Sequence, residues 1–279
     1  MLYMPGTNQR ALDKARTLPC DGVIFDLEDA VAADAKAQAR SNVAAVVAAG
    51  GYGHRELVVR VNALDTPWGA DDVTAMAALE IDGLLFPKVE TTEQVDAIVA
   101  AVDRAGGSAV PLWVMIETPR AVLDVVRLAG HSERIRVLVM GTSDLVKELR
   151  AEHTEARLNL AYALQHCVLA ARALGRDLLD GVHLDFRNQD SFRGACVQAR
   201  QMGFDGKTLI HPSQIDGANE VFGFGDDAVT HARRVLDAWQ SAKAAGKGVA
   251  ELDGQLIENL HAAEAERVLA FARAVAERG

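Results

Sequence analysis

The chain has 279 residues, 49% of them apolar, and carries a formal net charge of −10. That length permits one sizeable domain or two small ones around a large core. The acidic balance argues against a general affinity for nucleic acid or an anionic membrane and leaves a small molecule as the expected partner, with room for a local basic patch that holds phosphate.

No apolar run approaches the roughly 20 residues that cross a bilayer and no basic leader precedes an apolar segment, so a cytoplasmic protein is expected. The predicted elements begin at once. The run "LYM" opens the chain inside a strand, with its lead-in short or missing, and a helix over 7–17 follows. "GVIFDL" precedes a helix over 33–49 that Gly50 and Gly51 close, because glycine takes the left-handed conformation of a helix end. "LVVRVN" leads to a helix over 69–80, "GLLFPKV" to 91–105 and "LWVMIE" to 119–129. "RVLVMG" runs into a helix at 145–149 that continues through 155–174; "GVHLDF" precedes 189–202 and "KTLIH" precedes 213–222.

Strand runs that are apolar throughout and alternate with helices predict a parallel sheet covered on both faces. Eight of them favour an α/β fold of the (β/α)8 TIM-barrel type. No G-x-G-x-x-G follows the first run, which counts against a dinucleotide fold. A helix over 226–245, a glycine-rich turn "AAGKGVAELDG" and a last helix over 255–277 complete the chain. In that tail Leu256, Ile257, Leu260, Ala263, Val268, Leu269, Phe271 and Ala272 form a stripe that must pack on its own barrel or on a neighbouring subunit. The expected organisation is a catalytic barrel over 1–224 and a helical extension, or lid, over 225–279.

Chemistry in such a barrel sits at the C-terminal ends of the strands. The charged and polar residues there are Asp26, Glu28 and Asp29; Arg60 and Asn62; Lys88 and Glu90; Glu117 and Arg120; Asp144; Asp185; and Lys207 and His211. Lys88 also reads as rim cover, and Asp144, behind Thr142 and Ser143, as a cap of the following helix. Glu117 follows "LWVMI" directly, where an unpaired carboxylate carries a large desolvation cost. Glu117 and Asp144 on adjacent strands, with no Cys or His beside them in sequence, make an all-oxygen pair suited to Mg2+ or Mn2+. Arg60 offers a planar fork for a carboxylate or enolate, or else an internal ion pair to Asp26 or Glu28. Arg10 and Lys14, a turn apart on the first helix, either meet a phosphate or form a solvated face. Cys20, Cys167 and Cys196 are scattered without a C-x-x-C pair, which predicts neither a disulfide framework nor a zinc knuckle. A Cys167–His211 hydrolase pair is disfavoured because Cys167 lies inside a predicted helix, and no G-x-S-x-G is present.

The ordered set "LYMPGTNQRALDKA", "FDLEDAV", "VVRVN", "FPKVE", "MIETP", "MGTSDL", "GFDGKTLIHPSQ" and "LDGQLIENLH" resembles the citrate lyase beta-subunit-like family of the HpcH/HpaI aldolase/citrate lyase superfamily. The resemblance runs from residue 2 to about 275, and its nearest members are malyl-CoA lyases and (3S)-malyl-CoA thioesterases. It implies a magnesium site at Glu117 and Asp144, with Arg60 on the substrate's carboxyl or carbonyl oxygens. It also implies coenzyme A near Arg10 and Lys14, and a homo-oligomer, trimer or hexamer, whose lid carries an acid into a neighbouring site. The lyases have Asp in that lid where this chain has Glu258. The activity it implies is Mg2+-dependent carbon–carbon cleavage of malyl-CoA, or a close β-hydroxyacyl-CoA, to an acetyl-CoA-type product and a glyoxylate-type 2-oxo acid. The alternatives are hydrolysis of the thioester to malate and CoA, and a catalytically idle subunit that binds a CoA ester.

Overall fold

The computed structural model describes residues 1–278. The chain divides into two compact units, Met1–Ala218 and Asn219–Gly279. In the first, eight strands alternate with helices: β1 (Leu2–Pro5), α1 (Gln9–Ala15), β2 (Gly22–Asp26), α2 (Lys36–Ala49), β3 (Glu56–Arg60), α3 (Gly69–Met76), β4 (Gly83–Phe86), α4 (Thr92–Arg104) and β5 (Leu112–Ile116). There follow α5 (Pro119–Leu123), α6 (Val125–Gly130), β6 (Ile135–Met140), α7 (Thr142–Glu148), α8 (Ala161–Leu174), β7 (Asp177–Asp180), α9 (Gln189–Met202) and β8 (Gly206–Lys207); α10 (Ile215–Phe222) runs across the boundary at Ala218.

The strands pair in sequence order and in parallel. The ring closes where Leu2 bridges Leu209, with Tyr3 N donating to Leu209 O at 2.8 Å and Leu209 N to Met1 O at 2.9 Å. The expected TIM-barrel-type fold is therefore what the chain adopts. One core cluster collects Ile24, Val58, Leu85, Trp113, Met115, Val137, Val139 and Leu179, one or two from each of β2 to β7. Their alternates on β2, Val23 and Phe25, are fully buried too, so neither face of the sheet is left to water, as a parallel sheet requires. Local signals place the helices: the Thr91 hydroxyl accepts from Gln94 N to start α4, and Gly50 at φ 64° ends α2.

Three expected elements differ. The seventh strand is "DLLD", not "GVHLDF", which forms the loop after it. The helix expected from 145 to 174 is broken: α7 ends at Glu148, and the loop before α8 contains Arg150 and Arg157 in left-handed conformation. The segment 119–129 is split into α5 and α6 at Asp124.

The second unit holds α11 (Asp226–Ala244), a hairpin of β9 (Ala250–Leu252) and β10 (Gln255–Ile257), and α12 (Asn259–Ala276). The "glycine-rich turn" is thus half of a hairpin, turned by Asp253 and Gly254, both at positive φ. Ala232, Val235, Ile257, Ala265 and Val268 form its core, and Phe224 meets Phe271 edge to face at 5.3 Å. Of the expected apolar stripe, Ile257 and Val268 are buried, whereas Leu256 and Leu260 are 56% and 63% exposed. Among the described residues no helix is long and apolar enough to cross a membrane.

Candidate active site

A cavity of about 380 Å³ opens at the C-terminal ends of the barrel strands, with Tyr3, Asp26, Arg60, Glu117, Gly141 and Asp144 in its wall. Asp26, Arg60 and Glu117 are delivered by the ends of apolar strands, and Asp144 by the first turn of α7. Asp26 closes β2 and is 1% exposed; its carboxylate accepts from Glu28 N at 2.9 Å and Ala30 N at 3.1 Å, which folds the turn after the strand. The same carboxylate takes a forked pair from Arg60 at the end of β3, Nε at 2.8 Å and Nη2 at 2.6 Å. The remaining Nη1 of Arg60 lies 2.9 Å from Glu28 Oε2, and the guanidinium sits 4.8 Å over the Tyr3 ring. Burial works against the Arg60 charge, but Asp26 outweighs it and holds the guanidinium protonated more firmly than usual. The internal ion pair expected as one reading of Arg60 is present, and the residue still lines the cavity.

Glu117 follows β5 and is 2% exposed. Its Oε1 accepts from the main-chain N–H of Lys88 at 2.7 Å. Burial, and next the nearby Glu28, push its pKa up to about 7 against the pull of Lys88. Glu28 is also raised, chiefly by burial, with Arg60 and Lys88 opposing. Lys88 Nζ lies 2.6 Å from Glu28 Oε1 and 3.9 Å from Asp144 Oδ2, tying the arginine side of the cavity to the carboxylate side. Asp144 does not cap α7: the N-cap is Gly141, without a side-chain cap bond, and Asp144 stands in the first helical turn facing the cavity.

The donor set fits a hard divalent cation. Glu117 and Asp144 offer carboxylate oxygens to one cavity, and Glu117 is a buried acid whose charge lacks full compensation. Gly141 approaches so closely that a Cβ there would fall 2.3 Å from Glu117 Cβ, leaving the carboxylate no space to retreat. Among the described residues no three His, Cys, Asp or Glu side chains converge on one point. An ion held by two carboxylates keeps its other positions for water and substrate oxygens, which is the habit of Mg2+.

Asp29 lines the cavity as well, whereas Arg10, Lys14, Asn62, Asp185, Lys207 and His211 are not in its wall. Arg10 and Lys14 are exposed on α1. Glu258 belongs to the second unit, exposed at the start of α12, where its N–H donates to His261 Nδ1 at 3.0 Å. Asn62 is buried and serves the fold, donating to Leu27 O and to Asp72. Asp185 is exposed in the loop after β7. Lys207 is buried against Asp180, and His211 stacks on Phe186 at 4.6 Å. Cys167 is fully buried in α8 with its thiol pushed up to about 12 by burial, which removes it as a nucleophile. Sequence reasoning missed Tyr3, Gly141 and the main-chain role of Lys88. Only Gly141, a glycine between a strand and a helix, carried a signal.

The family model described as HpcH/HpaI aldolase/citrate lyase matches residues 1–212. A (3S)-malyl-CoA thioesterase of Cereibacter sphaeroides is 44% identical over 276 residues, covering 99% of this chain and 95% of that protein. The citrate lyase subunit beta of Escherichia coli is 34% identical, covering 92% and 87%. The structure of protein CitE from Mycobacterium tuberculosis in complex with magnesium, acetoacetate and coenzyme A aligns with a TM-score of 0.78 at 26% identity, covering 98% of this chain and 97% of that one. The same barrel, matched over most of its length by the family model and by relatives above 30% identity, assigns the chain: it belongs to the HpcH/HpaI aldolase/citrate lyase family.

Proposed function

We propose that the protein is a Mg2+-dependent enzyme acting on a CoA thioester of the malyl type, and that it hydrolyses the thioester. The observation that carries this reading is the cavity itself, where Arg60, Glu117 and Asp144 meet at the barrel mouth. The 44% identity to (3S)-malyl-CoA thioesterases, along almost the whole chain, supports hydrolysis as the outcome. Glu117 and Asp144 would hold the ion, with Mn2+ as a workable substitute. When bound, it supplies a Lewis acid for substrate oxygens and lowers the pKa of bound water. Arg60, fixed by Asp26, lines the cavity with a guanidinium that would stabilise negative charge developing on a substrate carboxylate or carbonyl oxygen. A water adds to the thioester carbonyl, the C–S bond breaks, and the thiolate of CoA takes up a proton as malate departs.

We assign Glu258 as the lid acid that assists proton transfer. An exposed carboxylate flanked by the exposed Leu256 and Leu260 suits a surface that becomes covered when a site closes. Arg10 and Lys14 would meet the phosphates of CoA. Homo-oligomer formation, as a trimer or hexamer, would cover Leu256 and Leu260; sedimentation at the mass of a single 29.8 kDa chain would refute it.

Carbon–carbon cleavage is the second reading, favoured by the 34% identity to citrate lyase beta subunits. Arg60 would then stabilise the acetyl-CoA enolate left when the C2–C3 bond breaks. Incubation of the purified protein with (3S)-malyl-CoA and Mg2+ separates the two. Free CoA with malate supports hydrolysis, acetyl-CoA with glyoxylate selects cleavage, and neither product overturns both.

A further inference from the structure

Glu117 is held from both sides by main chain. In the sheet, β5 lies between β4 and β6, and the residues that grip Glu117 follow those two neighbours. On the β4 side the Lys88 N–H donates to Glu117 Oε1 at 2.7 Å, and Lys88 itself is held at φ 54°, a left-handed conformation uncommon for a residue other than glycine. On the β6 side a Cβ at Gly141 would stand 2.5 Å from Glu117 Oε2, so only glycine leaves that oxygen its place. Lys88 contributes separately through its ammonium, which lies against Glu28 and Asp144. Strain of this kind at the rim of a cavity points to a functional constraint on the main chain rather than on the side chain.

We propose that Lys88 and Gly141 are positioning residues that aim Glu117 for divalent-cation binding, Lys88 through its left-handed amide and Gly141 through its missing side chain. The inference rests on the reading of Glu117 and Asp144 as the carboxylates that hold the ion. Loss of a contact that orients a metal-binding carboxylate typically costs about 10- to 100-fold in metal affinity. For the aim of Glu117, what matters at position 88 is then the conformation, which glycine also adopts.

The test is calorimetric titration of the full-length, metal-stripped protein with Mg2+, with folding of each variant checked by circular dichroism. Lys88→Gly keeps the N–H and adopts positive φ freely, so its Mg2+ affinity is expected within about threefold of wild type, or tighter because a competing ammonium is gone. Lys88→Val keeps the N–H but its branched Cβ resists positive φ, and Gly141→Ala crowds Oε2. Each is expected to weaken Mg2+ by about 10-fold or more. Loss of affinity in Lys88→Gly equal to that in Glu117→Ala overturns the proposal, as does wild-type affinity in folded Lys88→Val and Gly141→Ala. The metal reading fails in a different way: wild type binds no Mg2+, or Glu117→Ala binds it unchanged, and the positioning role falls with it.

Discussion

Glu117 is an acid whose burial sets its protonation. With its pKa up to about 7 in the folded chain against an ordinary value of 4.5, it binds a proton more tightly folded than unfolded. The sign follows from linkage: its contribution is fully present below about 4.5 and is lost as the pH rises towards and through about 7. Glu117→Gln keeps the acceptor for Lys88 N–H and removes the charge. In metal-free protein the variant is therefore expected to be more stable than wild type at pH 8, by on the order of 2 kcal/mol, and to lose that advantage near pH 4.5. Urea unfolding of both proteins at the two pH values checks it, and an equal difference at both rejects the assignment. Saturating Mg2+ should reverse the order at pH 8, because the ion stabilises only the protein that holds it.

Between elements, the short seam from β7 to β8 carries a buried ion network. β8 is two residues long and pairs with β7 only through Leu179 with Gly206 and Asp180 with Lys207. The seam is held instead by side chains: Lys207 Nζ reaches Asp180 at 2.6 Å, and Arg157 Nη1 reaches both oxygens of Asp180 at 2.8 Å. Burial works to raise the Asp180 pKa, but Lys207 and Arg157 more than offset it and keep the carboxylate ionised. Asp180→Ala would strand the Lys207 ammonium in the interior and is expected to destabilise by about 3–5 kcal/mol, read from the urea midpoint at unchanged m. A loss below about 1 kcal/mol would show that the network adds nothing to the seam. This seam also marks where the sequence was hard to read. "GVIFDL" and "LWVMIE" announce strands because an unbroken apolar run can only be buried, and the charges that end them, Asp26 and Glu117, announce a site for the same reason. "DLLD" has two apolar residues between acids, and its identity as β7 depends on partners that lie 23 and 27 residues away in sequence. The hairpin of β9 and β10 hid behind three-residue strands, although Asp253-Gly254 is a turn pair with a clear mechanism. The amide of Lys88 was illegible altogether, since nothing in a side chain records a left-handed main chain.

At the scale of the whole molecule, an acidic protein has to accept an anionic substrate. The net charge of −10 repels a CoA ester at long range, so capture depends on a local reversal of sign. Arg10 and Lys14 are exposed on α1, which starts just after the end of β1 at the barrel mouth, and their neighbour Asp13 is already occupied by Arg16. Screening distinguishes the two fields, because at about 0.1 M salt a charge is felt over about 10 Å. If Arg10 and Lys14 meet the CoA phosphates, as proposed, those contacts would weaken as salt is added, whereas the global repulsion fades and assists binding. With the local pair intact the first effect dominates, and KM for the CoA ester is expected to rise with ionic strength. In the Arg10→Ser, Lys14→Ser double variant only the repulsion is left, so KM starts higher and is expected to fall with added salt. Steady-state kinetics of both proteins from about 0.02 to 0.3 M KCl tests the reversal. Parallel slopes would remove Arg10 and Lys14 from the substrate's path and move the search for phosphate contacts to other positive groups on the barrel.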